Sequence, residues 1–210
     1  TNALLEDVVV PVETLGETCR SLGAMFTDHE YKDSVIFGHA KDGNIHFMLN
    51  EEFAVDSKVQ RYQRFTEDMV DLILGHNGSL KAEHGTGRIM APYVRRQFGD
   101  ELYEVMHDIK RLVDPGSMLN PGVIINDDPD SYVKNLKVEE PVEEEVDRCV
   151  ECGYCEPVCP SRDLTLTPRQ RIVMRREIKA AHTRGDHELA QSLEGDWDYE
   201  GVQTCACLLY

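Results

Sequence analysis

Positive charge is scarce in this chain: 22 Lys and Arg stand against 39 Asp and Glu over 210 residues, a formal net charge of −17. That balance argues against nucleic-acid binding, because phosphate contacts require clustered Lys and Arg. Long apolar runs are missing too, so no segment is expected to span a bilayer, and the N-terminus does not read as a signal peptide. No Gly-x-x-x-x-Gly-Lys-Ser/Thr loop occurs. Gly85-Thr86-Gly87 lacks the third glycine and the preceding strand of a dinucleotide fingerprint. No internal repeat is visible. Cysteines are not spread through the chain as they are in a secreted disulfide scaffold: four of the seven fall in one run, which points to a reducing compartment and a cytoplasmic location, with peripheral attachment at the inner membrane face as a variant of that expectation. Cys19 stands alone in a helical pattern and is expected to be a small buried hydrophobe.

The cysteine run is Cys149-Val-Glu-Cys152-Gly-Tyr-Cys155-Glu-Pro-Val-Cys159-Pro160. Its C-x2-C-x2-C-x3-C-P spacing is that of ligands to a cubane iron–sulfur cluster. The first three thiolates wrap one cluster, and the fourth ligates another in two-cluster ferredoxins. A zinc site is the bland alternative, favoured by C-x2-C alone. A third cysteine at the same interval and the closing Cys-Pro are hard to fit to tetrahedral zinc.

A chain of this length can hold one large or two small domains. Residues 1–126 read as an α+β unit. Val8–Val10 is a short strand ending at Pro11, and Leu15, Cys19, Leu22 and Met25 follow at helical spacing. Two extended runs, 34–39 and 45–49, flank Asp42-Gly43, a hairpin signal. A helix is predicted over 55–74, capped by Gly75, and another over 92–112, with Val94, Phe98, Leu102, Val105 and Ile109 on one stripe and Asp114-Pro115-Gly116 as its stop. Residues 127–147 form an acidic, Pro-containing linker, read as solvated rather than as a docking surface. From 148 to 210 the chain should be mostly helical, with Thr167 as an N-cap, Pro168 at the first helical position and a short basic helix to Ala181 beside the cysteines.

Within the first unit a second constellation stands out. His39 ends one extended run and His46 lies on the returning one, sharing a face with Met48 while Ile45, Phe47 and Leu49 share the other. Further on, Glu83-His84-Gly85-Thr86-Gly87-Arg88 sets a carboxylate and an imidazole beside a Gly-bounded turn. Two imidazoles and a carboxylate suit zinc, manganese or iron(II) with positions left open. Ordinary hydrogen-bonded histidines at a turn are the alternative.

The segments Gly38-His39-Ala-Lys-Asp42-Gly43-Asn44-Ile-His46, Glu83-His84-Gly85-Thr-Gly87-Arg88 and Asp114-Pro115 through Leu119-Asn120-Pro121-Gly122 resemble the C-terminal domain of FAD-linked oxidases. This group, in the vanillyl-alcohol oxidase superfamily, includes the D-lactate, glycolate and D-2-hydroxyglutarate dehydrogenases. The cysteine run with Pro160-Ser-Arg-Asp163 and Thr167-Pro-Arg-Gln-Arg171 resembles the 4Fe-4S ferredoxin-type half of large fused members. The resemblance implies a ferredoxin-like α+β domain followed by a mostly helical iron–sulfur domain. His39, His46 and Glu83 would hold a divalent metal, zinc or manganese, on which the 2-hydroxyl and carboxylate of a small 2-hydroxy acid sit. His84 would be the base that takes the hydroxyl proton as hydride leaves for FAD, a task suited to an imidazole that titrates near neutrality. Asn120 would lie near the flavin. Cys149, Cys152, Cys155, Cys159 and Cys205 would serve two clusters that pass electrons to a quinone, cytochrome or electron-transfer flavoprotein.

The same resemblance implies that much is absent. Both ends read as cuts in a larger protein: the flavin-binding domain and most substrate-carboxylate contacts would lie upstream, and the fourth ligand of the first cluster downstream. Cys207 does not fit the spacing of a second motif. The fragment alone is expected to be inactive, with its cysteines free or holding a substitute metal. Two competitors belong to other classes: an electron-transfer subunit with no substrate site, and a metal-dependent hydrolase with a fused ferredoxin. Met48 beside His46 hints at an apolar lining and mildly favours lactate over a dicarboxylate.

Overall fold

A computed structural model describes residues 2–205, so Cys207 lies outside the described residues. The chain forms two compact units, one of residues Ala3–Lys137 and one that includes Val138–Tyr210.

In the first unit, β1 (Asn2–Val9) is followed by α1 (Leu15–Asp28), β2 (Val35–Phe37), β3 (Asn44–Glu51), α2 (Asp56–Gly75) and α3 (Val94–Val113). The sheet has the order β1-β3-β2. β2 and β3 pair antiparallel, with Val35, Ile36 and Phe37 opposite Met48, Phe47 and His46. Val9 exchanges both backbone hydrogen bonds with Ser79, while the Val10 amide donates to Gly43 O. Successive amides of a strand point to opposite edges, so Ser79 lies on the side of β1 away from β3. The order is thus β-α-β-β-α followed by a one-residue bridge.

Alternation on β3 decides where the core sits. Ile45, Phe47 and Leu49 are 0–1% exposed and pack with Leu22 and Phe26 of α1 and Tyr62, Phe65, Met69 and Ile73 of α2. Phe65 is the hub, with the rings of Tyr31, Phe26 and Phe47 at 5.2, 5.8 and 5.9 Å. Aromatic contacts at this range add about 0.5–1.5 kcal/mol each beyond their buried area. Cys19 is half-buried against this core, and burial pushes its thiol pKa up, against a smaller opposing effect of Arg20.

Several boundaries differ from expectation. β1 begins at Asn2 because the acids within it have partners: Glu6 pairs with Lys81 at 2.7 Å, and Asp7 is bound by backbone amides. The extended run predicted to His39 stops at Phe37, and the polar loop of the predicted hairpin contains a single 3-10 turn (Ala40–Asp42). Gly75 is the last helical residue of α2 rather than its cap. The cap falls on His76, and Asn77 takes the left-handed conformation with φ 57°. In α3, Gly99 (φ 82°) interrupts the helix, and Phe98, Leu102, Val105 and Ile109 are 44–57% exposed. Of the predicted stripe, Val94 faces in while its other four members face outward, and Tyr103 takes the inward place beside it. The acidic segment divides at 137 rather than beginning at 127. Tyr132, 5% exposed, packs against the rings of Tyr93 and Tyr62 at 5.7 and 6.2 Å, which ties residues to Lys137 to the first unit.

The second unit contains α4 (Glu144–Asp147), the cysteine loop, α5 (Pro168–Arg184), α6 (His187–Asp196) and a π-helical turn (Trp197–Gln203). Thr167 and Gln170 form a reciprocal capping box with Pro168 at the first helical position, as predicted, and the helix runs past Ala181 to a left-handed Gly185. Two buried arginines of α5 organise the rest. Arg171 donates to the carbonyls of Leu166 (3.0 Å), Glu200 (2.7 Å) and Gly201, and to Thr204 Oγ1 (3.2 Å). Arg176 donates to the carbonyls of Cys149 (2.8 Å) and Val146 (3.3 Å) and pairs with Glu151 and Glu139 at 2.8 and 3.1 Å.

Candidate metal centre

Two segments of the first unit meet at one point. The first is the connection into β3, where Gly43 adopts φ 69° and an added Cβ would lie 1.9 Å from Val10 O, a fit that only glycine allows. The turn sends His39 back over β3, so that its ring centroid is 5.5 Å from that of His46. The second is the loop after the Ser79 bridge, which carries Glu83 and His84. Glu83 Oε1 lies 2.7 Å from His46 Nε2, 3.3 Å from His39 Nε2 and 4.0 Å from His84 Nε2. The rings of His46 and His84 stack at 4.8 Å with an interplanar angle of 7°. His46 is buried, whereas His39 and Glu83 open to solvent.

Asp7, which carries no motif, lies beneath these residues and was missed by sequence reasoning. Its Oδ2 accepts hydrogen bonds from the backbone amides of Ala82 (2.9 Å), Glu83 (2.7 Å) and His84 (2.9 Å), and its Oδ1 accepts from Asn44 Nδ2 at 2.6 Å. Burial would raise the pKa of this carboxyl. The amides of His84, Glu83 and Ala82, with the Asn44 side chain, outweigh it and hold the group below its ordinary value. The one available signal was a pair of acids, Glu6-Asp7, leading into an apolar strand.

Among the described residues, the ligand atoms of Asp7, His46, Glu83 and His84 all lie within 4.8 Å of one another. His39 approaches Glu83 and His46 but stands outside that group. His46 faces carboxylate oxygen with both nitrogens: Nε2 toward Glu83, and Nδ1 toward Asp7 Oδ1 at 3.4 Å, where no hydrogen bond is formed. A neutral imidazole has one N–H, so one nitrogen must direct its lone pair at an oxygen anion. A cation on the Nε2 side relieves that conflict and leaves Nδ1–H for Asp7, the usual arrangement behind a metal-bound histidine. The donor set therefore fits a divalent ion. A cavity of about 490 Å³ opens beside it, bordered by His39, Asp42, Asn44, Lys81 and Glu83.

The third motif lies against the second. Ile124 N donates to Gly87 O at 3.1 Å, and Arg88 Nη2 donates to Pro121 O at 3.1 Å. Asn120 sits in this loop with φ 43°. Asp114 shapes it by accepting from Lys110 and from the amides of Leu119 (2.9 Å) and Met118 (3.0 Å), and its pKa is lowered to about 2, the Lys110 contact being the largest cause.

In the second unit Cys149, Cys155, Cys159 and Cys205 are half-buried and Cys152 is exposed, and none of them is in a disulfide. The loop winds through positive φ at Glu151 (56°) and Gly153 (81°), and Cys149 Sγ accepts the Glu151 amide at 3.4 Å. Cys205 follows the segment that Arg171 grips. No helix among the described residues is long and apolar enough to cross a membrane.

The family model for FAD linked oxidases, C-terminal domain, matches residues 1–124. Among curated proteins the chain is 26% identical over 119 residues to "Glycolate oxidase subunit GlcD" of Bacillus subtilis, covering 57% of this chain and 25% of that protein. It is 29% identical over 123 residues to "D-lactate dehydrogenase [cytochrome], mitochondrial" of Arabidopsis thaliana, covering 59% and 22%. With "D-2-hydroxyglutarate dehydrogenase" of Escherichia coli it is 28% identical over 196 residues, covering 82% and 19%, an alignment long enough to pass beyond residue 124. The chain spans a quarter or less of the length of these relatives. With that match over more than half its length, the chain belongs to the family of FAD-linked oxidases, through their C-terminal domain.

Proposed function

We propose that this chain supplies the metal-holding half of the active site in an FAD-dependent D-2-hydroxy-acid dehydrogenase, with D-lactate as the first substrate to test, and that its second unit carries electrons away. The observation that carries this reading is the convergence of His39, His46 and His84 on one oxygen of Glu83. His39, His46 and Glu83 hold the ion, and His84 takes the 2-hydroxyl proton at its ring nitrogen. When bound, the divalent ion orients the substrate and acidifies its hydroxyl, and the flavin accepts hydride from C2. Stacking on His46 fixes the His84 ring while leaving its edge accessible, as a base must be. Asn120, held in its loop by the Arg88 and Asp114 contacts, would face the flavin. The first unit's β-α-β-β-α order with its added bridge is consistent with a ferredoxin-like sheet.

A reduced flavin holds two electrons and an iron–sulfur cluster passes one at a time, so clusters would let the flavin serve a cytochrome as well as a quinone or an electron-transfer flavoprotein. Cys149, Cys152 and Cys155 are the ligands proposed for a first 4Fe-4S cluster, with Cys159 and Cys205 serving a second. Their spacing and the hydrogen bond that the Glu151 amide donates to Cys149 Sγ support this assignment. Acids expected to form a solvated linker instead serve the second unit, Glu139 pairing with buried Arg176 and Glu143 with Arg175, and a cytoplasmic location with peripheral membrane contact suits such acceptors. A metal-dependent hydrolase is the second reading that the Glu83-His84 pair could serve. Anaerobic mixing of D-lactate with the flavin-loaded protein that carries this chain separates them. Bleaching of the oxidised flavin band is expected. An unchanged flavin with cleavage of an ester or amide would overturn the proposal.

A further inference from the structure

We propose that Asp7 is the positioning residue of this centre, a single carboxylate that locks the hairpin and the Glu83-His84 loop into one geometry. The inference deepens the metal site proposed above and rests on it for its consequence, though not for its geometry. The site is assembled from segments some forty residues apart in sequence, at His39–His46 and Glu83–His84, and Asp7 touches both. One carboxylate oxygen takes three consecutive amides, those of Ala82, Glu83 and His84. Three amides pointing at one oxygen force the loop into a tight arc around it, and this arc aims Glu83 and His84 toward β3. The other oxygen takes Asn44 Nδ2, whose own Oδ1 accepts the His39 amide at 3.3 Å. Asn44 also reaches Val8 O at 3.2 Å, tying the hairpin to β1. His46 Nδ1 points at the same oxygen as Asn44.

Asp7 is 0% exposed, so water cannot replace it. It also stands at the one place where a shorter or neutral side chain would serve too few donors. An asparagine has a single acceptor oxygen, so either the three amides or Asn44 must lose a partner. Its NH2 group would face His46 Nδ1 or the amides as a donor. A donor at His46 Nδ1 favours the tautomer with the proton on Nε2, the nitrogen that faces Glu83. Outer contacts of this kind change metal affinity by roughly 10–100-fold when removed.

The test compares wild type, Asp7→Asn and Asp7→Ala in the 210-residue chain with its cysteines alkylated, so that the thiolate run takes up no metal, with Zn2+ as the probe and two readouts. Isothermal titration should give Asp7→Asn a Zn2+ affinity about 10–100-fold below wild type, with unchanged far-ultraviolet circular dichroism. Amide hydrogen exchange needs no metal: in Asp7→Ala the amides of Ala82, Glu83 and His84 should exchange about tenfold faster or more, as expected for loss of hydrogen bonds to a charged acceptor. Asp7→Asn binding within twofold of wild type, or exchange at residues 82–84 unchanged in Asp7→Ala, overturns the proposal. If wild type itself takes up no Zn2+, the metal assignment fails while the exchange data still judge Asp7. If Asp7→Ala does not fold, wild-type exchange decides: residues 82–84 must be protected relative to Gly85–Gly87, and equal exchange overturns the proposal.

Discussion

Replacing Arg171 with methionine should unfold the second unit selectively. Arg171 is 8% exposed, and its guanidinium donates to the carbonyls of Leu166, Glu200 and Gly201 and to the Thr204 hydroxyl. Methionine fills similar volume but donates nothing, so three carbonyls lose a charged donor at once. Each such loss costs about 1–3 kcal/mol where water cannot enter, so a total of about 3–5 kcal/mol is expected after partial relaxation. The lone tryptophan, Trp197, sits in the turn whose carbonyls Arg171 holds, and Arg175 lies 5.5 Å over its ring. Its fluorescence therefore reports this unit and not Ala3–Lys137. With a urea m-value of about 1 kcal/mol/M for so small a unit, the fluorescence midpoint should fall by about 3 M or vanish. A midpoint within about 0.5 M of wild type would refute the reasoning, because at that m-value it means a network contribution below about 0.5 kcal/mol.

Gly43→Ala should misplace the hairpin, since its Cβ meets Val10 O at φ 69°. A loss of about 2 kcal/mol or more in thermal stability, with weakened Zn2+ uptake, is expected by calorimetry and titration. Acid should release the Asn120 loop: with the Asp114 pKa at about 2 in place of the ordinary 3.8, its contribution is full above 3.8 and lost as pH falls toward 2. In Asp114→Asn that part of the acid transition should disappear, as followed by the amide signals of Met118 and Leu119.

Patterned features were legible in the sequence. Period two on β3 put Ile45, Phe47 and Leu49 on one shared face, which is the core face, and Thr167-Pro168 marked a helix start, because local backbone rules decide both. The proximity of His39, His46, Glu83 and His84 was legible only as a set of motifs, since the residues that join them carry no local pattern. Asp7 illustrates this: a buried acid within a strand looks like an error until the three amides it serves are brought to it by a loop some 75 residues away. The stripe on α3 shows the reverse failure. Its period correctly predicted a helix, but amphipathic spacing does not say which face meets this unit's core, and Tyr103 rather than Leu102 or Val105 turned inward. Tyr132 was hidden by acidic neighbours whose charge suggested a linker, although it anchors the segment to the core together with Val133 and Leu136.

Metal uptake by His39→Ala and His84→Ala, measured against wild type with the cysteines alkylated, by equilibrium dialysis with Zn2+ and Mn2+, tests the central claim most directly. His39 lies nearer Glu83 Oε1 than His84 does, 3.3 against 4.0 Å, but His84 and not His39 belongs to the four whose ligand atoms all lie within 4.8 Å of one another; the account nonetheless makes His39 a ligand and His84 the base. It predicts that His39→Ala loses most of the bound ion and that His84→Ala keeps it. Retention in His39→Ala with loss in His84→Ala would contradict the assignment, and no uptake by wild type would remove the metal centre altogether.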